Sequence, residues 1–114
     1  METPGQIVQE LTAIRQQSEK GVALLAEAEE KFVGLESEAE KIEAKAFLDA
    51  QGTVADRQAL AKLKSADAHF EADLAKVQVN RIKTKLKHLS ESQMGVMAAA
   101  KLIELEWRQM GRTP

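Results

Sequence analysis

The sequence of 114 residues contains no cysteine and no tyrosine, and only 4% of its residues are aromatic. Without cysteine the chain forms no disulfide, no thiolate zinc site and no cysteine nucleophile. Its longest stretch free of Asp, Glu, Lys and Arg is the nine residues from Ser92 to Ala100, whereas a membrane-spanning helix needs about 20 apolar residues. The first residues, Met1 to Pro4, lack the basic start and apolar core of a signal peptide. We therefore expect one small domain in the cytoplasm, with no membrane partner.

Hydrophobic residues make up 44% of the chain and charged residues 30%, and the abundance of Ala, Glu, Lys, Leu and Gln is typical of long helices and coiled coils. The first half carries a heptad pattern whose steps alternate between four and three residues. Most of its positions hold Ala or a larger apolar residue, which predicts a helix that packs along another helix. The positions of this first seam are Ile7, Leu11, Ile14, Ser18, Gly21, Leu25, Ala28, Phe32, Leu35, Ala39, Ile42, Ala46 and Asp49.

Capping residues mark both ends of this first helix. Thr3-Pro4-Gly5-Gln6 offers an N-cap threonine, a proline at the first helical position and a glutamine three residues after the threonine. Gln51-Gly52 supplies a glycine suited to the left-handed conformation that ends many helices. The sequence therefore predicts helix one over residues 4–50 and a turn over residues 51–53, with Gly52 and Thr53 as the turn residues.

A second capping signature, Thr53-Val54-Ala55-Asp56, predicts a second helix over residues 54–110. Phe70, Leu74 and Val77 broaden its apolar stripe near the start. Ser65-Ala66-Asp67 resembles a further cap, so the prediction allows a bend near residues 64–66. The second seam consists of Ala72, Ala75, Val79, Ile82, Leu86, Leu89, Gln93, Val96, Ala100, Ile103 and Trp107.

Two long helices joined by a tight turn must run antiparallel, so the predicted fold is all-α: a single antiparallel helical hairpin of the coiled-coil type. Such a hairpin encloses no core, and several apolar residues lie off both seams. A second copy would cover them, which predicts a homodimer that forms a four-helix bundle. The alternative is that scattered surface apolar residues need no partner. The off-seam residues are Val8, Val22, Leu24, Val33, Phe47, Leu48, Met94, Met97 and Leu102.

The two halves of the chain differ in charge. Residues 1–50 contain 5 Lys and Arg against 11 Asp and Glu, a net charge of −6, and residues 51–114 contain 11 against 7, a net charge of +4. Together they give the −2 of the whole chain. Opposite charge on the two helices favours their pairing within the hairpin.

One basic segment, from Lys76 to His88, contains no acidic residue. Lys76, Lys83 and Lys87 fall at helical spacing and share a face with Asn80, and such a stripe can follow a phosphate backbone. The alternative is an ordinary solvated lysine face, and the exposed aromatics that stack on single-stranded bases are missing. The candidate nucleic-acid-binding residues are Lys76, Arg81, Lys83, Lys85 and Lys87.

The sequence contains no pattern of catalytic or metal-binding residues. His69 and His88 are nineteen residues apart on one predicted helix, and neither has a carboxylate three residues before it, as helix-bundle di-metal sites require. The glycines form neither a phosphate-binding loop nor a dinucleotide fingerprint. We expect two partly exposed histidines, no catalytic residue, no metal ligand, no cofactor and no enzyme activity.

Two short motifs resemble a group of small all-helical proteins encoded by tailed bacteriophages and prophages. The first is a "GTVA-acidic-Arg" stretch, here Gly52 to Arg57, and the second is an "Ile-Glu-x-x-Trp-Arg" helix end, here Ile103 to Arg108. The resemblance covers residues 44–108. Genes of that group often lie beside those of annealing or single-strand-binding proteins, so the resemblance implies an accessory role in phage DNA metabolism. It supplies no catalytic residues.

Three functions therefore follow as hypotheses. The leading one is a non-enzymatic helical interaction protein, an accessory to phage DNA replication or recombination that acts through protein contacts. The second is direct nucleic-acid binding by the basic segment, and the third is a structural or scaffold coiled coil. Trp107 closes one end of the predicted bundle or, alternatively, anchors a partner protein.

Overall fold

The computed structural model describes residues 3–111, with side chains up to residue 109, and within this range it contains two long helices and no strand. Helix α1 spans Pro4–Asp49 and helix α2 spans Val54–Gly111. The two helices pack as an antiparallel hairpin. The predicted all-α hairpin is therefore confirmed, and the helix bounds lie within a residue of those expected from the caps.

The start of α1 is held by the reciprocal cap that the sequence predicts. The Gln6 amide donates to Thr3 Oγ1 at 3.2 Å, and the Thr3 amide donates to Gln6 Oε1 at 2.9 Å. Each side chain thus satisfies an amide that has no partner inside the helix. The first regular helical bond runs from the Ile7 amide to the Thr3 carbonyl at 3.1 Å.

The turn between the helices occupies the residues after Asp49. Gly52 has φ +114°, a left-handed conformation that favours glycine because it has no Cβ. The Asp56 amide donates to Thr53 Oγ1 at 3.1 Å, and the Arg57 amide donates to the Thr53 carbonyl at 2.9 Å. Gly52 therefore reverses the chain and Thr53 caps α2, as the sequence predicts for these two residues.

The chain divides into two compact units, and residues 24–82 form the second of them. In this unit almost all of the buried residues have small side chains. Small residues on both helices let the two backbones lie close together. The buried residues of this unit are Ala39, Ala46, Ala61, Ser65, Ala72, Ala75 and Val79.

Residues 3–23 and 83–111 form the first unit. Here Ile7 is buried, the other large seam residues are half-buried, and Trp107 at the end of the second seam is exposed. A hairpin of two helices covers only one side of each helix, so large seam side chains keep an edge in water. Gly21 lies directly beneath Leu86, because a Cβ built on Gly21 would lie 2.5 Å from Leu86 Cδ2.

Helix α2 runs without a break through residues 64–66, so no separate helix ends there. Ser65 does not cap a new helix. Its side chain is buried, with 0% of its surface exposed, and its hydroxyl donates to the Ala61 carbonyl one turn earlier at 2.8 Å. That bond satisfies the hydroxyl inside the helix, so the serine acts as a small seam residue.

Phe70, Leu74 and Val77 do not broaden the buried stripe, because all three are exposed. Leu74 lies at the edge of the stripe, where it borders an open cleft with Ala28 and Leu35 of α1. The seam instead continues toward the turn through Ala68, Ser65 and Ala61. Eight of the nine off-seam apolar residues of the prediction are exposed, and only Phe47 is half-buried.

Candidate functional site

Four of the six residues of the turn motif that carries the phage-protein resemblance have a structural role: Gly52, Thr53, Asp56 and Arg57. Gly52 has the positive φ and Thr53 caps α2. Arg57 reaches back across the turn, where its Nε donates to the Phe47 carbonyl at 3.1 Å. The guanidinium carbon also lies 4.4 Å from the centre of the Phe47 ring. Arg57 thus joins the last turn of α1 to the first turn of α2.

Sequence reasoning gave no role to this contact between Arg57 and Phe47. The two residues are ten positions apart on different helices, so no helical spacing relates them. One feature of the sequence could have indicated this contact. Arg57 directly follows the capping box Thr53 to Asp56, close to the C-terminus of α1. Cations are favoured at that end because the last carbonyls carry partial negative charge and lack helical partners.

The two histidines are partly exposed, as predicted. In the second unit His69 Nε2 lies 3.0 Å from Glu43 Oε2, and the two side chains are 40% and 35% exposed. This contact joins the two helices. In the first unit His88 Nδ1 lies 3.5 Å from Glu91 Oε2 on the same helix, and both side chains face solvent. Each histidine therefore has one carboxylate neighbour.

The five candidate nucleic-acid-binding residues are all exposed on α2, and none forms an ion pair with another residue of the described part of the chain. In the first unit Lys83 and Lys87 are one helical turn apart and share a side of α2. Lys85 points to the opposite side, because two helical residues are about 200° apart. In the second unit Lys76 and Arg81 are about 140° apart around the axis. Within each unit the helix therefore places neighbouring cations on different faces, apart from the pair Lys83 and Lys87.

A row of large apolar side chains lies on the outer side of α2 in the second unit. We call Leu63, Phe70, Leu74 and Val77 the outer stripe. Their exposed fractions are 73%, 62%, 53% and 46%. Single exposed apolar residues are common on proteins, whereas large exposed apolar patches are typical of interaction surfaces.

A second apolar surface lies in the first unit, at the end far from the turn. There Trp107 is 62% exposed and borders an open cleft of about 430 Å³ between α1 and α2. The hairpin alone therefore does not bury Trp107, and its role as a partner anchor or as a closing residue of a bundle stays a prediction. The cleft is lined by Pro4, Ile7, Val8, Leu11, Ala100, Ile103, Glu104 and Trp107.

Within residues 3–111, no group of three or more His, Asp or Glu side chains is placed to hold a metal ion. Neither helix contains, over the same residues, a segment apolar enough to cross a membrane. Comparison of the chain with protein-family models, with curated proteins and with solved structures finds no match.

Proposed function

We propose that this protein is a non-enzymatic helical interaction protein, an accessory factor for phage DNA replication or recombination that acts through protein contacts in the host cytoplasm. Two observations support the proposal. The turn motif and the helix end around Trp107 are similar to those of small phage proteins encoded near replication genes. The outer stripe and the cleft beside Trp107 also leave large apolar side chains in solvent.

The exposed apolar surface is the observation that carries the proposal. Exposed rows of large apolar residues are costly in water and are typical of surfaces that bind another protein. The proposal includes self-association: two hairpins pair, and other apolar surface stays available for a replication or recombination protein. Trp107 is the residue we assign to that second contact, because tryptophan is enriched among residues that dominate binding energy.

A capture experiment tests this function. The tagged protein is expressed in infected cells, the lysate is treated with nuclease, and bound proteins are identified by mass spectrometry. We expect capture of an annealing protein, a single-strand-binding protein or another replication protein, and its loss with Trp107→Gln. Val33→Gln is the matched control, because Val33 is equally exposed but lies on α1 away from the cleft.

Two results would contradict the proposal. If wild type and Trp107→Gln capture equal amounts of the replication protein, Trp107 does not form the contact. Enrichment of the protein in purified virions, with no replication protein bound, would instead identify a structural or scaffold coiled coil.

Direct nucleic-acid binding is the second candidate, favoured by the exposed cations of α2 that have no acidic partner in the described residues. Phosphate contacts release counterions, so binding must weaken as salt rises. Fluorescence anisotropy with single- and double-stranded oligonucleotides at low salt tests it. The triple variant Lys76→Gln, Lys83→Gln and Lys87→Gln should lose affinity for all sequences alike and show a shallower salt dependence.

A triple lysine variant on α1 is the control for this second candidate. Lys31, Lys41 and Lys45 are exposed, and their replacement by Gln changes the net charge of the chain by the same amount. If both triple variants weaken binding equally, the basic segment has no special role. If wild type binds no oligonucleotide at low salt, the nucleic-acid candidate is eliminated.

A further inference from the structure

The outer stripe is exposed to solvent, and Leu74, at its edge, also borders an open cleft lined by Ala28 and Leu35 of α1. Its members follow one another at steps of seven, four and three residues, so they share one face of α2. The buried residues Ala61, Ser65, Ala72 and Ala75 lie on the opposite face, toward α1. The stripe therefore forms a second heptad pattern on the same helix, and about half or more of each of its side chains lies in solvent.

The outer face of α1 is mostly polar. Between residues 27 and 44 its positions at the same spacing carry no large apolar side chain, and they are Glu27, Glu30, Gly34, Ser37, Lys41 and Ala44. The next position in this series is Leu48, which is 74% exposed, and Val33 is exposed on α1 as well. Exposed apolar residues therefore occur on both helices, and α2 carries the longer row.

We propose that the outer stripe binds the outer stripe of a second copy of this chain, antiparallel and related by a two-fold axis. This inference rests on the self-association included in the proposed function, and it specifies the surface. Helix α2 then lies between α1 of its own copy and α2 of the other copy. A two-fold interface uses the same patch on both copies, so one apolar stripe is sufficient.

Charge complementarity selects the second copy and its alignment. Lys64 and Glu71 are exposed, seven residues apart, and border the same edge of the stripe. In an antiparallel pair that places Leu63 of one copy opposite Leu74 of the other, Lys64 faces Glu71 of the second copy. The two-fold axis makes this contact occur twice.

Other alignments lack this match. Sliding the second copy by one heptad places Glu71 against Glu71 or Lys64 against Lys64, which is repulsive. On the other edge, the favoured alignment places Ala66 against Asp73 of the second copy, so no like charges meet there. Asp67 is the one charged residue within the stripe, and it lies beside Phe70 of the second copy.

Sedimentation equilibrium tests the surface. Wild type should be a dimer at tens of micromolar, and the double variant Phe70→Gln and Leu74→Gln should raise the Kd about 100-fold or more, because four large apolar side chains lose their contacts. Val33→Gln should leave the Kd unchanged, since Val33 is exposed on α1. All three chains should keep the same helical circular dichroism, because the changed residues are exposed.

The outcomes separate this inference from the wider proposal. A wild type that stays monomeric at tens of micromolar contradicts self-association as well as the outer stripe. A wild-type dimer that persists in the double variant contradicts the outer stripe alone, and the copies then associate elsewhere. Asp67→Leu extends the stripe and should lower the Kd about tenfold, and an unchanged Kd would also count against this surface.

Charge exchange tests the alignment. Lys64→Glu and Glu71→Lys should each raise the Kd about tenfold, because two attractive contacts become repulsive. The variant that combines both changes restores the opposite charges and should return to the wild-type Kd. Single effects without this rescue would overturn the antiparallel alignment.

Cysteine cross-linking gives an independent measure, since the natural chain contains no cysteine. Leu63→Cys combined with Leu74→Cys should form a disulfide-linked dimer on oxidation. The two positions are eleven residues, or about 16 Å, apart within one helix, so they cannot join inside one chain. Neither single variant should cross-link. A disulfide-linked dimer of the single variant Leu63→Cys would instead indicate a parallel pair and would contradict the proposal.

Discussion

The contact between Arg57 and Phe47 across the turn leads to the most specific stability prediction. Arg57→Ala removes a hydrogen bond from a charged donor, which contributes about 1.5–3 kcal/mol, and a cation–π contact, which contributes about 0.5–1 kcal/mol near a surface. Because Arg57 is only half-buried, we expect the low end of both ranges. The free energy of unfolding should fall by about 2 kcal/mol.

A double-mutant cycle separates the two parts of this contact. Phe47→Leu removes the aromatic ring but keeps an apolar side chain and the backbone carbonyl that accepts from Arg57. The coupling energy between Arg57→Ala and Phe47→Leu therefore reports the ring contact alone, at about 0.5–1 kcal/mol. The remainder of the Arg57→Ala effect belongs to the bond between Nε and the Phe47 carbonyl.

Urea unfolding followed by circular dichroism, at one fixed protein concentration, provides the measurement. Arg108→Ala is the matched control, because Arg108 forms an exposed pair with Glu104 at 2.7 Å on the same helix. Such pairs contribute about 0.3–0.5 kcal/mol. If Arg57→Ala costs no more than Arg108→Ala, or if the coupling with Phe47→Leu is zero, the contact does not stabilise the turn and the reasoning fails.

Three further predictions concern small residues, each measured by the same urea unfolding. Gly52→Val should cost about 1–3 kcal/mol, because a β-branched residue is strained at φ +114°; an unchanged midpoint would mean that the turn does not need glycine. Gly34→Ala should stabilise by about 0.5–1 kcal/mol, since a Cβ there meets no atom within 4 Å. Gly21→Ala should raise the free energy of unfolding by less than Gly34→Ala or not at all, because its Cβ would press on Leu86. An equal increase for both variants would refute this difference. Ser65→Leu should cost about 1–3 kcal/mol through overpacking, while Ser65→Ala should stay within about 0.5 kcal/mol of wild type.

The helix ends could be predicted from sequence because capping is a local property. Thr3 and Gln6, and likewise Thr53 and Asp56, are three residues apart, and their hydrogen bonds depend on no distant part of the chain. Gly52 is predictable for a similar reason, since few other residues adopt a positive φ at low cost. The first seam is equally regular, and its positions are buried or half-buried apart from Asp49.

The face of α2 that meets α1 near the turn could not be predicted from hydropathy. Leu63 and Phe70 are more hydrophobic than Ser65 and Ala68, so the sequence favours the wrong side of the helix. Burial depends here on how closely the two backbones approach, which requires small side chains on both helices. Helix α2 carries two heptad patterns, the row of small residues and the outer stripe. The position of α1 decides which of the two is buried.

The functional residues were the least predictable. The basic segment is visible in the sequence, but an α-helix distributes neighbouring lysines around its axis, so sequence clustering does not make a single patch. Arg57 and Phe47 come together only because the chain reverses between them. The contact between His69 and Glu43 likewise depends on the alignment of the two helices, which no local pattern specifies.

The small inner residues of the second unit also determine how this chain can change in evolution. At Ala39, Ala61 and Ser65 any larger side chain would push the two helices apart, so acceptable substitutions exchange only glycine, alanine and serine. Almost all of the buried residues of this unit are therefore small rather than strongly hydrophobic, which inverts the usual pattern of a globular core. Distant relatives of this protein would then share a spacing of small residues and the residues of the turn, while their larger side chains diverge.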